Sequence, residues 1–287
     1  MPTYIHFVVA GLLTGAVYGL MALGLSVIFG VIRIVNFAHG QMMVLGMYAT
    51  ILVNHWLGFD PLLAAPVIAA LWFLGGYGLQ RGLVNRYIGR PEYEQFVLLL
   101  AFGIVLTITM LIVFGPDARN LQTSYGFDSY QIGGLILDKV RVFAAAGALV
   151  GVLLLWGFFG FTRLGKAIRA CADNQVGAQV VGLDVKRLYA VTFGLGSACV
   201  GVSGALMLLL VDVQPYLSED YTLLAFVIVI VGGLGSMPGA LLGGVLVGVS
   251  EGLAADFFSP SLKSMFSFAL LIIVLLLRPQ GLLGRHA

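Results

Sequence analysis

The sequence predicts an all-α, polytopic transmembrane helical bundle with about eight or nine apolar spans, some short enough to be broken or re-entrant. Three observations carry that reading. First, 60% of the 287 residues are hydrophobic and only 10% charged, with a mean hydropathy of +1.03. A soluble domain carries about 25% charged residues, so lipid must be the solvent for much of this chain. Second, Gln95 to Pro116, Val142 to Thr162, Leu188 to Val211 and Tyr221 to Ser250 contain no Asp, Glu, Lys or Arg. A helix crosses the hydrocarbon core with about 20 apolar residues. Third, these segments are apolar on both faces, whereas a membrane β-barrel alternates polar and apolar positions in strands of about 10.

Taken in order, apolar runs fall near 6–30, 40–56, 61–80, 95–115, 142–160, 188–211, 221–235, 239–256 and 264–277. Met1 to His6 lacks the basic stretch of a cleaved signal peptide, so the first run is expected to be a retained span. Basic residues favour cytoplasmic loops. Arg81, Arg86 and Arg90, then Arg163, Lys166, Arg169, Lys186 and Arg187, and finally Arg278 and Arg285, place three segments inside. The segment Asp212 to Asp220 has no Lys or Arg and fits outside. The N-terminus is then out and the C-terminus in. Pro116 to Arg141 conflicts, because parity puts it outside although it carries Arg119, Lys139 and Arg141. The 39 glycines suit close helix–helix approach in lipid. Cys171 and Cys199 fall in a cytoplasmic loop and a span, so no disulfide is expected.

The segment 162–187 is the longest loop expected to face the cytoplasm. Arg163 to Ala172 is rich in helix formers. Asp173 or Asn174 is placed to cap a second short helix, and Gly182 to end it where positive φ is needed. The chain then re-enters the membrane at Leu188. Such a surface helix suits a cytoplasmic motor, and a solvated basic loop is the plainer alternative.

Two stretches interrupt the apolar pattern. Arg33 to Gly40 brings Arg, Asn and His into it. A charge at mid-bilayer costs about 2.5–3.5 kcal/mol on insertion scales, so Arg33 is expected to snorkel from the end of the first span. Asn36 is placed to cap the helix starting near Phe37 or His39. His39 either bonds a neighbouring helix or meets solute, and Gly40 and Gln41 follow it. Gly232 to Gly239 holds four glycines, Ser236 and Pro238. Ser236 and Pro238 mark a helix start, whose free N–H groups would favour an anion if it lay within the membrane. A tight turn at the membrane surface is the other reading. Asn36, His39, Gly40, Gln41, Gly233, Gly235, Ser236 and Pro238 are therefore the candidate substrate-pathway residues. Glu251, inside an apolar segment, is expected near the outer interface or against another helix. Catalytic and metal roles are assigned to no residue.

The order of these landmarks resembles the LivH-type permeases of branched-chain amino-acid ABC importers. The similarity is carried by Tyr18 to Gly24, Phe29 to Gly40, Arg169 to Asn174 with Ala178, Gly182, Leu183, Asp184 and Val185, then Gly232 to Gly239 and Arg278 to Gly284. It implies one transmembrane permease domain over 1–287 with a coupling loop at 162–187. It implies Arg169, Asp173, Asn174, Ala178, Gly182 and Asp184 as ATPase-coupling residues. Its partners would be a second permease subunit, two cytoplasmic ATPase subunits, a periplasmic solute-binding protein and the lipid bilayer, with no nucleic acid. The location would be the bacterial inner membrane. The usual importer loop begins Glu-Ala-Ala, and here Val176, Gly177 and Ala178 stand in its place with Gly182 kept. A phosphate loop is only approached at Gly160 to Ala167, where Ala167 lacks the hydroxyl that would hold magnesium. No cofactor is expected in this chain, and ATP would be used by its partners. An autonomous secondary transporter or channel is the alternative, but it would call for paired acidic residues in the spans.

Overall fold

The computed structural model describes residues 4–132, 135–258 and 262–284. Arg285 and the residues before Tyr4, used above for orientation and for the retained first span, lie outside the described residues. Within them the chain forms α1 (Tyr4–Ile32), α2 (His39–Leu57), α3 (Pro61–Gly82), α4 (Glu92–Phe114) and α5 (Lys139–Phe161). Two short helices follow, α6 (Arg163–Asp173) and α7 (Gln175–Val180), and then α8 (Val185–Met207), α9 (Leu217–Gly232), α10 (Met237–Phe257) and α11 (Lys263–Leu277). A 3-10 turn, Val84–Tyr87, joins α3 to α4, and a hairpin of β1 (Ser129–Ile132) and β2 (Leu135–Asp138) precedes α5.

All nine apolar runs become helices, but six of them, α1, α3, α4, α5, α8 and α10, are long and apolar enough to cross a membrane. On that measure the structure supports six candidate spans among the described residues, fewer than the eight or nine expected. The reasons are local. α11 has 15 residues, about 22 Å of helix against a core of about 30 Å. α9 has 16 residues and opens with Glu219 and Asp220, and α2 carries His39, Gln41, Asn54 and His55 along its 19 residues. α8 also starts at Val185, three residues before the expected re-entry at Leu188, because Asp184 accepts a hydrogen bond from the Arg187 amide at 3.1 Å and caps it there.

The two ends of the bundle differ in charge. Asn85 Nδ2 donates to the Lys186 carbonyl at 3.2 Å, which joins the basic turn after α3 to the basic first turn of α8 at one end. The hairpin lies at the other end. There Tyr125 donates to Asp60, the N-cap of α3, at 2.8 Å. Burial first, and that bond second, hold the Tyr125 hydroxyl well above its ordinary pKa. The conflict over Pro116 to Arg141 has a local answer as well. Lys139 pairs with Asp128 at 2.7 Å and Arg141 with Asp138 at 2.9 Å, and Arg119 donates to the Phe114 carbonyl at the end of α4. Each cation there has a local partner.

α1 and α8 form the centre. Within their apolar windows 89% and 83% of residues are buried, against 17% for α4 and 22% for α3, which turn apolar side chains outward. Lipid tails are as apolar as leucine, so helices associate in a membrane through close packing instead of exclusion from water. The largest contact, α1 with α10, shows how. Gly11, Gly15 and Gly19 recur every fourth residue on α1, and Gly244, Gly248 and Gly252 do so on α10. A Cβ on Gly15 would lie 2.7 Å from the Val245 Cα, and one on Gly248 would lie 2.5 Å from the Gly11 carbonyl oxygen. The two backbones meet where no side chain fits. Glu251, further along α10, accepts from Tyr18 of α1 at 3.0 Å and from Ser267 of α11 at 2.8 Å, so it faces other helices.

Gly15→Leu or Gly248→Leu should therefore force α1 and α10 apart and cost about 1–3 kcal/mol or more. Gly157→Leu on α5, where a Cβ meets nothing within 4 Å, should stay within about 0.5 kcal/mol. Thermal unfolding of the detergent-purified protein would show it, and equal melting points for the three variants would refute the packing argument.

Candidate functional site

The clearest irregularity inside the bundle is the passage from α1 to α2. α1 closes at Ile32, and Arg33 takes φ +62°, a left-handed conformation seldom adopted by a side-chain-bearing residue. Its side chain is exposed at the helix end. The chain then doubles back. His39 Nε2 donates to the Met21 carbonyl at 3.0 Å, and Met21 lies 11 residues before the end of α1, about 16 Å back along its axis. α2 therefore begins in the interior of the bundle.

A helix that starts in the interior must find partners there for its first amides. α2 has no side-chain N-cap. Asn36, expected as the cap, accepts instead from the Ala38 amide at 3.1 Å and so fixes the turn just ahead of the helix. The Gly40 amide donates to Thr222 Oγ1 on α9 at 3.0 Å. The Thr222 hydroxyl in turn points at the Ser218 carbonyl, 2.8 Å away, with Gln41 Oε1 at 3.3 Å. Ser218 Oγ donates to the Pro215 carbonyl at 2.7 Å and lies 3.4 Å from Thr107 Oγ1 of α4. The Met21 carbonyl can only accept, so His39 carries its proton on Nε2. His39 Nδ1 is buried with no partner among the described residues.

Four of the predicted pathway residues, Asn36, His39, Gly40 and Gln41, are thus buried together in one polar seam between α1, α2, α4 and α9. Gly40 is there for space, since a Cβ would overlap the Ser218 carbonyl and the Thr222 amide. Beside the seam the Phe37 ring stands 4.5 Å from Phe96 and 4.8 Å from Phe226, centre to centre. The other four residues lie elsewhere. Gly233 and Gly235 take φ +108° and +78°. Ser236 caps α10 by accepting from the Gly239 amide at 3.2 Å, with Pro238 in its first turn. This turn packs against Gly30 near the end of α1 and against Leu283 and Gly284. Leu282 and Leu283 donate to the Val231 and Gly232 carbonyls, both at 2.9 Å. The structure makes this a tight turn at a bundle end and does not bring it to the seam.

Sequence reasoning missed the α9 half of the seam. Asp212 to Asp220 reads as an outer loop, yet Leu217 to Asp220 is the first turn of α9. Ser218 sits level with Thr107, seven residues or about 10 Å before the end of α4 at Phe114. Glu219 and Asp220 are exposed on that same turn. The available signal was the acidic pair itself, since carboxylates suit the positive end of a helix.

The loop at 162–187 folds as its pattern predicts. Thr162 caps α6 and Asn174 caps α7, the latter accepting from the Gly177 amide at 2.8 Å. Gly182 closes α7 at φ +83°, and the Leu183 amide reaches back to the Ala178 carbonyl at 3.0 Å. Asp173, one of two expected caps, is the last residue of α6. Gly165, Ile168 and Cys171 form the inner face of α6, and Ala178 that of α7. Arg169, Asp173, Asn174, Gly182 and Asp184 are exposed. Val176, Val180 and Val181 are exposed as well, at 71%, 82% and 75%. That apolar patch has no counterpart in the sequence expectations.

A helical membrane protein with a buried polar seam and a capped, apolar-tipped surface helix has the parts of a permease. The comparisons make the class specific. Residues 7–275 match the family model described as branched-chain amino acid transport system / permease component. The chain belongs to that family. It is 31% identical to the high-affinity branched-chain amino acid transport system permease protein LivH of Salmonella typhimurium, over 96% of this chain and 94% of that one. It is also 31% identical to BraD of Pseudomonas aeruginosa, another permease of that description, over 99% of this chain and 98% of that one. LivM of Escherichia coli is 27% identical, over 93% of this chain and 68% of that one. Among solved structures, PsaBC from Streptococcus pneumoniae in complex with Fab is similar at 15% identity and a TM-score of 0.49, covering 96% and 93% of the two chains.

If the seam holds α2 in place, Gly40→Ala and Thr222→Val should each destabilise the protein, the latter by about 1–3 kcal/mol because the Gly40 amide loses its partner. Thr222→Ser keeps the hydroxyl and should melt close to wild type. A Thr222→Val protein as stable as Thr222→Ser would show that the bond carries nothing.

Proposed function

We propose that this chain, a permease subunit of an ABC importer for branched-chain amino acids, carries its solute past the seam where α2 starts inside the bundle. The single observation behind this route is that interior helix start and the polar groups gathered at it. Irregular backbone at membrane depth persists only where it is buried in protein or lines a cavity. Asn36, His39, Gly40 and Gln41 supply the polar side of the path. The rings of Phe37, Phe96 and Phe226 offer apolar surface to a leucine, isoleucine or valine side chain. Gly233, Gly235, Ser236 and Pro238 form the path's mouth at the basic end. Glu219 and Asp220 line it, because exposed carboxylates about 10 Å below a helix end belong against water or protein, not lipid.

The remaining features follow from the same reading. The basic end faces the cytoplasm of a bacterial inner-membrane system, and residues 1–287 act as one permease domain. α2, α9 and α11 complete nine crossings with the six longer helices, the short ones entering through irregular segments. A second permease subunit, two ATPase subunits and a periplasmic solute-binding protein complete the importer, and ATP is used by the ATPases. The loop at 162–187 transmits their closure. Val176, Val180 and Val181 fit an apolar socket on the motor, ringed by Arg169, Asp173, Asn174 and Asp184, while Ala178 and Gly182 hold α7 in shape.

Two experiments with the reconstituted importer test this. Val176→Asp with Val180→Asp should cut uptake and solute-stimulated ATP hydrolysis more than about tenfold, the loss of roughly 1.4 kcal/mol or more of docking energy, while the melting point of the permease stays unchanged. Full coupling in that variant would remove α7 as the contact. Glu219→Gln with Asp220→Asn should lower uptake while the ATPases still co-purify, and unchanged uptake would take α9 out of the path.

A further inference from the structure

Asn85, in the 3-10 turn after α3, and Lys186, in the first turn of α8, are 101 residues apart in sequence, and each stands among basic residues. The structure joins them around a pocket of about 570 Å³. Arg81 from the end of α3 and Arg86 from the 3-10 turn enter it on one side, Lys186 and Arg187 from the first turn of α8 on the other. All four are exposed, and no carboxylate among the described residues lies within ion-pairing distance of any of them. The one acid in the lining, Asp184, is turned to the Arg187 backbone amide, which it caps. The shape is held from behind by Gln80, which is fully buried and donates to Asn85 Oδ1 at 3.0 Å while Asn85 donates to the Lys186 carbonyl. Four cations thus converge on one hollow whose lining holds a single carboxylate, and among the described residues none of the four is ion-paired.

We propose that this pocket binds the phosphate headgroup of an anionic phospholipid. A phosphate is the group such a cluster suits, since guanidinium forks match its oxygens two at a time. The neighbouring surface selects a lipid over a soluble anion. Leu71 and Leu74 of α3 are exposed, and Leu74, Tyr77 and Arg81 follow one another on one face of the helix. The stripe runs from apolar through an aromatic to a cation, which is the polarity profile of a membrane interface. A headgroup in the pocket would leave its acyl chains lying along α3. Basic pockets of this kind between transmembrane helices are where anionic headgroups dock. The site is separate from the seam, and it does not depend on the route proposed for the solute.

Native mass spectrometry of the delipidated, complete transporter, titrated with phosphatidylglycerol, tests the assignment. Wild type should bind one phosphatidylglycerol more tightly than the rest. Arg86→Gln with Arg187→Gln should weaken that site about thirtyfold without lowering the melting point. Arg90→Gln with Arg278→Gln, which removes two basic residues outside the pocket, should leave it intact. Equal weakening in both variants would reduce the site to general surface charge and overturn the proposal. Equal retention of phosphatidylcholine, or displacement of the lipid by inorganic phosphate at matched concentration, would also overturn it. Loss of the ATPase subunits from the pocket variant with lipid binding unchanged would assign the pocket to a protein partner instead.

Discussion

A backbone amide buried in a helical bundle has no water to turn to, and the break between α1 and α2 puts the first amides of a helix in that position. The arrangement around the seam follows from this constraint. Asn36 satisfies the turn, Thr222 satisfies Gly40, and His39 is held by a carbonyl of α1. The seam is polar because a broken helix needs partners, and partners for a broken helix are also partners for a zwitterion. On the proposed route, structural necessity and the chemistry of an amino-acid path fall on the same few groups.

Close backbone contact is the second organising force. α10 meets α1 through paired glycines, and α8 meets α2 in a similar way where a Cβ on Gly204 would lie 2.4 Å or so from the Met43 carbonyl, inside van der Waals range. These contacts place α1 and α8 at the centre and leave α3, α4 and α5 to present leucine, isoleucine and valine outward.

Much of this was legible in the sequence. Composition and charge-free length gave helices in lipid, and every apolar run became one. The loop at 162–187 was readable nearly residue by residue, because capping by Asn174 and the left-handed stop at Gly182 are local effects. Crossing number was less legible, since it depends on where α2 and α9 start, and tertiary partners fix those starts. Ser218 and Thr222 reach Gly40 from about 180 residues away, and no local pattern announces such a meeting. The glycine ladders were visible in principle as Gly11, Gly15, Gly19 and Gly244, Gly248, Gly252, but only the fold pairs them. The turn at Gly233 to Pro238 was read correctly as a helix start, while its depth was left open because sequence carries no coordinate along the membrane normal.

The glycine ladder between α1 and α10 has a mechanical consequence. With backbones in contact, sliding one helix past the other by a single position would drive Val245 or Leu241 into the groove that a glycine now occupies. The contact therefore resists shear and holds α1 and α10 together as a pair. Bending is easier at the irregular segments, the turn after Arg33 and the entry to α9, than within this pair.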